Sequence, residues 1–142
     1  MLTKPYTILI IDDEPDMCDY LESIIQDQFG DQLLVKSSIS GQDALSVVES
    51  EEINIIITDL NMPGESGYDI CKKVTEANKS VQVLFFTGDL SMSVAMTCYR
   101  DGVLSILTKP VDPGKLIKCL GMGIERLDFW AEVFQKYLKG SI

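Results

Sequence analysis

The sequence contains no histidine and no closely spaced pair of cysteines. Without histidine, the chain lacks the side chain that most often serves as a general base or metal ligand near neutral pH. Four scattered cysteines with no C-x-x-C pair also argue against a zinc site. We interpret Cys18, Cys71, Cys98 and Cys119 as reduced, mostly buried thiols of a cytoplasmic protein.

Basic residues and long apolar runs are scarce as well. The 142 residues include 12 Lys and Arg against 22 Asp and Glu, a net charge of −10. This balance argues against a general nucleic-acid or anionic-membrane surface and favours cations and basic partners. No apolar run approaches the ~20 residues of a membrane span, and the opening MLTKPYT lacks the apolar core of a signal peptide. We therefore expect no direct nucleic-acid contact and no membrane span.

Hydrophobic residues make up 46% of the chain, and many fall in five short aliphatic segments. Continuous aliphatic and β-branched runs of this length are typical of strands buried on both faces. The predicted strands are Ile8–Ile11, Leu33–Ser38, Ile53–Thr58, Val81–Thr87 and Val103–Thr108.

Amphipathic segments with helical spacing alternate with these strands. The predicted helices are Pro15–Phe29, Gly41–Glu52, Gly67–Asn78, Ser91–Asp101 and a last helix from about Pro113. Five β-then-α repeats predict an α/β fold with a doubly wound, five-stranded parallel sheet, right-handed crossovers and helices on both faces.

Polar side chains follow several of these strands. Asp12 and Asp13 follow the first strand, Asp59 the third, Thr87 ends the fourth, and Lys109 follows the fifth. Because ligands of doubly wound sheets bind at the carboxyl ends of the strands, these side chains are predicted to share one crevice. The clustered carboxylates predict a hard divalent cation, with Mg²⁺ the best match. A carboxylate beside a cation, a lysine and a hydroxyl is suited to accept a phosphoryl group.

Four motifs in order resemble a response-regulator receiver domain of two-component signalling. They are IIDDEP, IIITDLNMPGESGYD, FFTGD and LTKP, and the similarity covers roughly residues 5–125. The resemblance implies the flavodoxin-like (βα)5 fold with strand order 2-1-3-4-5.

The resemblance also implies a role for each matching residue. Asp59 would be the phosphoacceptor, and Lys109 would pair with the phosphoryl group and with Asp59. Asp13 and Asp59 would bind Mg²⁺ directly, Asp12 would act mainly through water, and Asn61 would offer its backbone carbonyl to the metal.

Further positions follow from the same resemblance. Thr87 would turn towards a bound phosphoryl oxygen, and Pro110 would follow a cis peptide bond. Pro63 and Gly67 would shape the loop after Asp59. Receivers usually carry a tyrosine or phenylalanine three residues before the lysine, whereas this chain has Ile106, so the aromatic half of the usual switch is absent.

The chain continues beyond the region of similarity with an apolar seam at alternating spacings of four and three residues. The seam consists of Leu120, Ile124, Leu127, Ala131, Phe134 and Leu138. One interpretation is a helix packed on its own domain. The other is a helix that extends beyond the domain, for homodimerisation or as a connector to an output module. We accordingly divide the chain into a receiver domain, 1–125, and a C-terminal helical extension, 126–142.

The sequence thus favours a cytoplasmic phosphoryl-accepting switch rather than a metabolic enzyme. Its phosphoryl donor would be the phosphohistidine of a sensor histidine kinase or histidine phosphotransfer protein. The alternative function is a pseudo-receiver that binds a partner without phosphorylation, and Ile106 is its only support. A haloacid-dehalogenase-type phosphatase would need a D-x-D pattern after the first strand. A flavin-binding domain would need a hydroxyl-rich phosphate loop there, where this chain has acids.

Overall fold

The computed structural model of the protein describes residues 2–62, 64, 66–78 and 80–140. Its centre is a five-stranded parallel sheet with the order β2-β1-β3-β4-β5, which confirms the predicted fold. The strands are β1 (Tyr6–Ile11), β2 (Leu33–Ser38), β3 (Ile55–Asp59), β4 (Gln82–Thr87) and β5 (Ser105–Thr108).

Five α-helices connect and cover the strands. They are α1 (Pro15–Phe29), α2 (Gly41–Ser50), α3 (Gly67–Ala77), α4 (Met92–Arg100) and α5 (Pro113–Gly140), with a short 3₁₀ turn at Gly30–Gln32. Ser40, Ser66 and Ser91 cap the starts of α2, α3 and α4, each accepting a hydrogen bond from the backbone N–H three residues later.

The sheet separates two hydrophobic clusters because alternate side chains of each strand point to opposite faces. In β1, Ile8 and Ile10 contribute to the cluster beneath α1 and α5, while Leu9 and Ile11 contribute to the cluster beneath α2, α3 and α4. Burial on both faces explains why the strands are continuously aliphatic.

Three strands begin later than the sequence predicted, at Ile55, Gln82 and Ser105. Just before β3, Asn54 is bonded to Thr7 both through its backbone N–H and through its side-chain oxygen. Just before β5, the backbone N–H of Val103 donates to the carbonyl of Cys98 near the end of α4. None of these differences moves the carboxyl end of a strand, where the predicted site lies.

The last helix, α5, is continuous from Pro113 to Gly140 and changes environment along its length. Ile124 and Leu127 are buried against the sheet, whereas the aromatic side chains from Phe129 onward are exposed. The first half of α5 therefore packs on the domain, whereas most large side chains of its second half are exposed. The division into a receiver, 1–125, and an extension, 126–142, stays a prediction.

Candidate functional site

The predicted acidic residues meet at the carboxyl ends of β1 and β3. One carboxylate oxygen from each of Asp12, Asp13 and Asp59 lies within 4.8 Å of the other two. Asp12 and Asp59 are buried, at 1% and 6% exposure, and Asp13 is exposed. Side chains 47 residues apart in sequence are thus brought together by the pairing of β1 with β3.

Lys109 supplies the positive charge of this site. Its Nζ atom lies 2.6 Å from Oδ2 of Asp59 and 3.8 Å from Oδ2 of Asp12. Burial disfavours the charged amine, but the hydrogen bond and charge of Asp59, with the charge of Asp12, outweigh it and raise the pKa of Lys109. The peptide bond between Lys109 and Pro110 is cis, as the resemblance implied.

Asp12 is the most deeply buried carboxylate of the three. Its Oδ1 atom accepts the backbone N–H of Glu14 at 2.9 Å, an anchor that sequence reasoning missed. Its buried Oδ2 atom has no hydrogen-bond donor among the described residues. Burial, opposed by Glu14 and Lys109, raises the pKa of Asp12, and the charges of Asp59 and Asp13 add to the rise.

Oxygen ligands from clustered carboxylates, one of them a buried atom without a donor, fit a hard divalent cation such as Mg²⁺. This arrangement is the acidic, metal-binding site typical of receivers. Without a cation, the one basic side chain that the described residues bring to these three carboxylates is Lys109.

Asp59 and Thr87 are held by neighbouring backbone and side-chain groups. Asp59 Oδ1 accepts the backbone N–H of Asn61 at 2.8 Å. Thr87, fully buried at the end of β4, accepts the backbone N–H of Asp89 at 3.1 Å and the side-chain amide of Asn61 at 3.4 Å. Sequence reasoning considered only the carbonyl of Asn61, whereas the structure places its backbone N–H and its side-chain amide in the network.

Gly67, at the start of α3, fixes the approach of that helix to the site. A Cβ atom at Gly67 would lie 1.9 Å from the carbonyl oxygen of Asp59 and 2.8 Å from Oγ1 of Thr58. Only glycine allows this contact between helix and strand end. Pro63, which the resemblance assigned to the same loop, lies outside the described residues.

Ile106 lies in β5 and is half-buried against the cluster beneath α2, α3 and α4. The aliphatic side chain therefore packs with the core where receivers usually place an aromatic ring.

The cysteines were predicted to be reduced and mostly buried. Cys18, Cys71 and Cys98 are indeed free and buried. Burial raises the pKa of Cys71 to about 12, so its thiol stays protonated.

Comparison with known proteins agrees with this geometry. Residues 8–121 match the family described as the response regulator receiver domain. The chain belongs to this family. Receivers are signalling modules that pair with histidine kinases, rather than metabolic enzymes. The acidic pocket of Asp12, Asp13 and Asp59 with Lys109 is consistent with a phosphoacceptor switch.

Individual relatives are distant in sequence. The chain is 32% identical over 116 residues to the uncharacterized transcriptional regulatory protein YesN of Bacillus subtilis, covering 81% of this chain and 31% of YesN. It is 29% identical to the nitrate/nitrite response regulator protein NarL of Escherichia coli, covering 82% of this chain and 54% of NarL. The receiver domain is thus one part of these longer relatives.

A solved receiver structure shares the fold. The response regulator receiver domain protein of Clostridium thermocellum superposes with a TM-score of 0.79 at 24% identity, covering 88% of this chain and 98% of that one. Among the described residues, no helix has the length and apolar character needed to cross a membrane.

Proposed function

We propose that Asp59 accepts a phosphoryl group from the phosphohistidine of a partner protein. A carboxylate oxygen of Asp59 would form a bond to phosphorus as the P–N bond of the phosphohistidine breaks, and the imidazole nitrogen would keep the electron pair. The observation that carries this proposal is the placement of a buried Asp59 2.6 Å from Lys109, beside Asp12 and Asp13.

Asp13 and Asp59 would bind Mg²⁺ directly in this proposal, with Asp12 acting mainly through water and Asn61 through its backbone carbonyl. Bound Mg²⁺ supplies positive charge that neutralises the phosphoryl oxygens. The buried Oδ2 atom of Asp12, which has no hydrogen-bond donor among the described residues, supports a cation or its water in this place.

Lys109 and Thr87 would complete the site around the phosphoryl group. Lys109 already faces the acceptor and would pair with a phosphoryl oxygen. The hydroxyl of Thr87 accepts hydrogen bonds from Asp89 and Asn61, so its own proton remains to be donated to a phosphoryl oxygen.

The phosphoryl donor is proposed to be a sensor histidine kinase or a histidine phosphotransfer protein in the cytoplasm. Residues 1–142 contain no histidine that could serve as the donor. Within the chain, 1–125 would act as the receiver and 126–142 as a helical extension that dimerises or connects to an output partner. Phosphorylation would change the interactions of the receiver with that partner.

One observation favours a second candidate, a pseudo-receiver that binds its partner without phosphorylation. Ile106 packs as an aliphatic core residue at the position of the usual switch aromatic. The two candidates differ in whether Asp59 carries phosphate at any stage.

The test is incubation with Mg²⁺ and a small phosphoryl donor, followed by intact mass measurement. We expect one added phosphoryl group in wild type, dependent on Mg²⁺, and none in Asp59→Asn. Asp69→Asn, which alters an exposed carboxylate in the first turn of α3, is the matched control and should react as wild type does. No adduct together with no binding of beryllofluoride and Mg²⁺ would establish the pseudo-receiver instead.

A further inference from the structure

A groove of about 890 Å³ crosses the amino ends of β3, β4 and β5, at the opposite end of the strands from Asp59. Its apolar floor comes from the residues just before these strands, namely Ile53, Val81 and Leu104. The volume lies within the range of clefts that bind ligands in proteins. The groove is therefore large enough to hold a partner's side chains.

The last helix, α5, forms one wall of this groove through two aromatic rings. Trp130 and Phe134 lie one helical turn apart, with ring centroids separated by 6.1 Å. They are 40% and 41% exposed, so apolar surface remains available beside the groove. The indole N–H of Trp130 has no acceptor among the described residues and is free to donate to a bound molecule.

Two amide side chains in the groove are each held at one end and free at the other. The side-chain oxygen of Asn54 accepts the backbone N–H of Thr7 at 2.8 Å, which leaves the Asn54 NH₂ group as a donor. The side-chain NH₂ group of Gln82 donates to the carbonyl of Gly123 at 2.9 Å, which leaves the Gln82 oxygen as an acceptor.

The free donor and the free acceptor belong to neighbouring strand starts. The backbone N–H of Gln82 donates to the carbonyl of Asn54 at 3.0 Å. Neither of the two free side-chain groups has a partner elsewhere in the part of the chain that the structure describes. A backbone peptide group carries one acceptor and one donor, so a second polypeptide can satisfy both.

Arg126 brings an available positive charge to the groove. It is exposed and forms no ion pair with another described residue. Glu52, the other charged residue that lines the groove, already has an interaction of its own. Since the net charge of −10 repels strongly acidic proteins, a single carboxylate among apolar residues suits Arg126 better than an acidic run does.

The shape of the groove favours a polypeptide over a small molecule. A second cavity of about 350 Å³ adjoins it, because Val81, Gly102 and Val103 line both. This second cavity continues towards α3, where Thr75 and Glu76 line it. The three strand starts span about 10 Å, and an extended segment of five residues, roughly 16 Å long, would cross them and enter the second cavity.

We infer that the groove binds an extended segment of a partner protein in which apolar side chains accompany one Asp or Glu. The backbone of the segment pairs with Asn54 and Gln82. Its apolar side chains lie between the floor and Trp130, and its carboxylate pairs with Arg126. This surface is remote from Asp59, so the inference does not rest on phosphoryl transfer.

The first test titrates the full chain with acetyl-X-Ser-Z-Ser-Glu-amide pentapeptides, in which X and Z are Leu, Ile or Phe. Alternate residues of an extended peptide face the same side, so X, Z and Glu can reach the groove together. The fluorescence of Trp130, the only tryptophan, reports binding. At least one peptide should bind with a Kd below ~1 mM. If none binds the folded protein at that concentration, the inference is overturned.

The role of Arg126 is tested by comparing each peptide with its counterpart that ends in Gln. Wild type should bind the Glu peptide several-fold more tightly, because only that peptide pairs with the guanidinium group. Arg126→Gln should bind the two peptides equally. Arg100→Gln, which removes an exposed charge at the end of α4, should keep the preference. A preference that survives in Arg126→Gln would overturn the proposed pairing.

Asn54→Asp tests the pairing with the peptide backbone. The variant keeps an oxygen for the N–H of Thr7 but loses the NH₂ donor, so binding of the uncharged Gln peptides should weaken about tenfold. Gln135→Glu adds the same charge at an exposed position of α5 and should bind as wild type does. In nuclear magnetic resonance spectra of wild type, the side-chain N–H signals of Asn54 should shift on binding, and those of Asn61 should not. Unchanged Asn54 signals in a bound protein would contradict the pairing.

A final comparison separates the proposed segment from other occupants. Trp130→Ala should weaken binding of fluorescein-labelled peptides, whereas Phe129→Ala, which removes a ring that is 60% exposed beside it, should not. Equal losses in both variants would overturn the assignment of the groove. Hexanoate that binds as tightly as the peptides would identify a free carboxylic acid as the occupant. A wild-type dimer that the peptides dissociate in light scattering would identify a second copy, and either result would overturn the inference.

Discussion

The hydroxyl of Tyr6 donates a hydrogen bond to Oδ1 of Asp128 over 2.7 Å, joining the first strand to the last helix. Tyr6 is buried, and Lys4 holds the other oxygen of the same carboxylate at 3.3 Å. The contact lies one residue after the last buried position of α5, Leu127. It therefore fixes the direction in which the helix leaves the domain.

This contact predicts a loss of stability at alkaline pH. Burial, together with the hydrogen bond and charge of Asp128, raises the pKa of Tyr6 to about 12 from its ordinary value of 10.0. Between pH 10 and 12 the unfolded chain loses this proton while the folded protein keeps it, so the free energy of unfolding falls as pH rises. The Tyr6→Phe variant has no hydroxyl at this position and therefore lacks this pH-dependent contribution to the free energy of unfolding.

Urea unfolding of wild type and Tyr6→Phe at pH 8 and pH 11 measures the effect. At pH 8 the variant should be less stable by about 1–3 kcal/mol, the usual cost of losing a hydrogen bond to a charged group. At pH 11 the difference should be smaller. Tyr20→Phe removes an exposed hydroxyl and should leave wild-type stability unchanged at pH 8. A difference between wild type and Tyr6→Phe that grows with pH would contradict the prediction.

Gly67→Ala is predicted to destabilise the protein by at least about 2 kcal/mol, because overpacking against fixed atoms is costly. The added Cβ atom would lie 1.9 Å from the carbonyl oxygen of Asp59, and a backbone atom cannot turn aside as a side chain does. Gly121→Ala is the matched control, since its Cβ meets nothing within 4 Å and alanine favours the helix by up to about 1 kcal/mol. Thermal unfolding should move the two variants in opposite directions.

Asp12→Asn is predicted to stabilise the protein without Mg²⁺ and to weaken its response to Mg²⁺. The raised pKa of Asp12 means that its ionised form costs stability at neutral pH. That cost disappears as pH falls below 3.8, the ordinary pKa of the Asp carboxyl. The difference in the free energy of unfolding between the variant and wild type should therefore vanish at acidic pH.

Urea unfolding in EDTA and in Mg²⁺ separates these two effects. Added Mg²⁺ stabilises wild type by binding the folded state, and in the variant the concentration required should rise at least about tenfold. Asp19→Asn, in an exposed position of α1, should behave as wild type does. An Asp12→Asn protein that is less stable than wild type in EDTA would contradict the destabilising effect of the ionised Asp12 carboxylate.

Thr87→Val is predicted to cost about 1–2 kcal/mol, because a buried hydrogen-bond acceptor is replaced by a methyl group. The backbone N–H of Asp89 would lose its 3.1 Å contact and should exchange its proton with solvent faster. Thr87→Ser keeps the hydroxyl and should preserve slow exchange at Asp89. Amide hydrogen exchange read by nuclear magnetic resonance distinguishes the two variants, and equal exchange rates would show that Thr87 does not hold the loop.

The candidate site was predictable because its residues follow strands whose aliphatic pattern is strong. Asp12, Asp13 and Asp59 were placed at one edge from strand ends alone, and the structure brings their oxygens together. The family resemblance supplied the strand order, which hydrophobic pattern does not contain.

The starts of three strands were not predictable from the same pattern. Ile53, Val81 and Val103 are apolar and lie just before their strands, so each apolar run is longer than the strand itself. Where a strand begins depends on hydrogen bonds between residues distant in sequence, such as those of Asn54 with Thr7. Such pairs, like Tyr6 with Asp128, leave no pattern in the local sequence.

The acidic pocket of Asp12, Asp13 and Asp59 lies at the carboxyl ends of the strands, and a groove lined by Asn54, Gln82 and Leu104 lies at the amino ends of β3, β4 and β5. A protein bound in that groove would therefore leave the mouth of the acidic pocket uncovered.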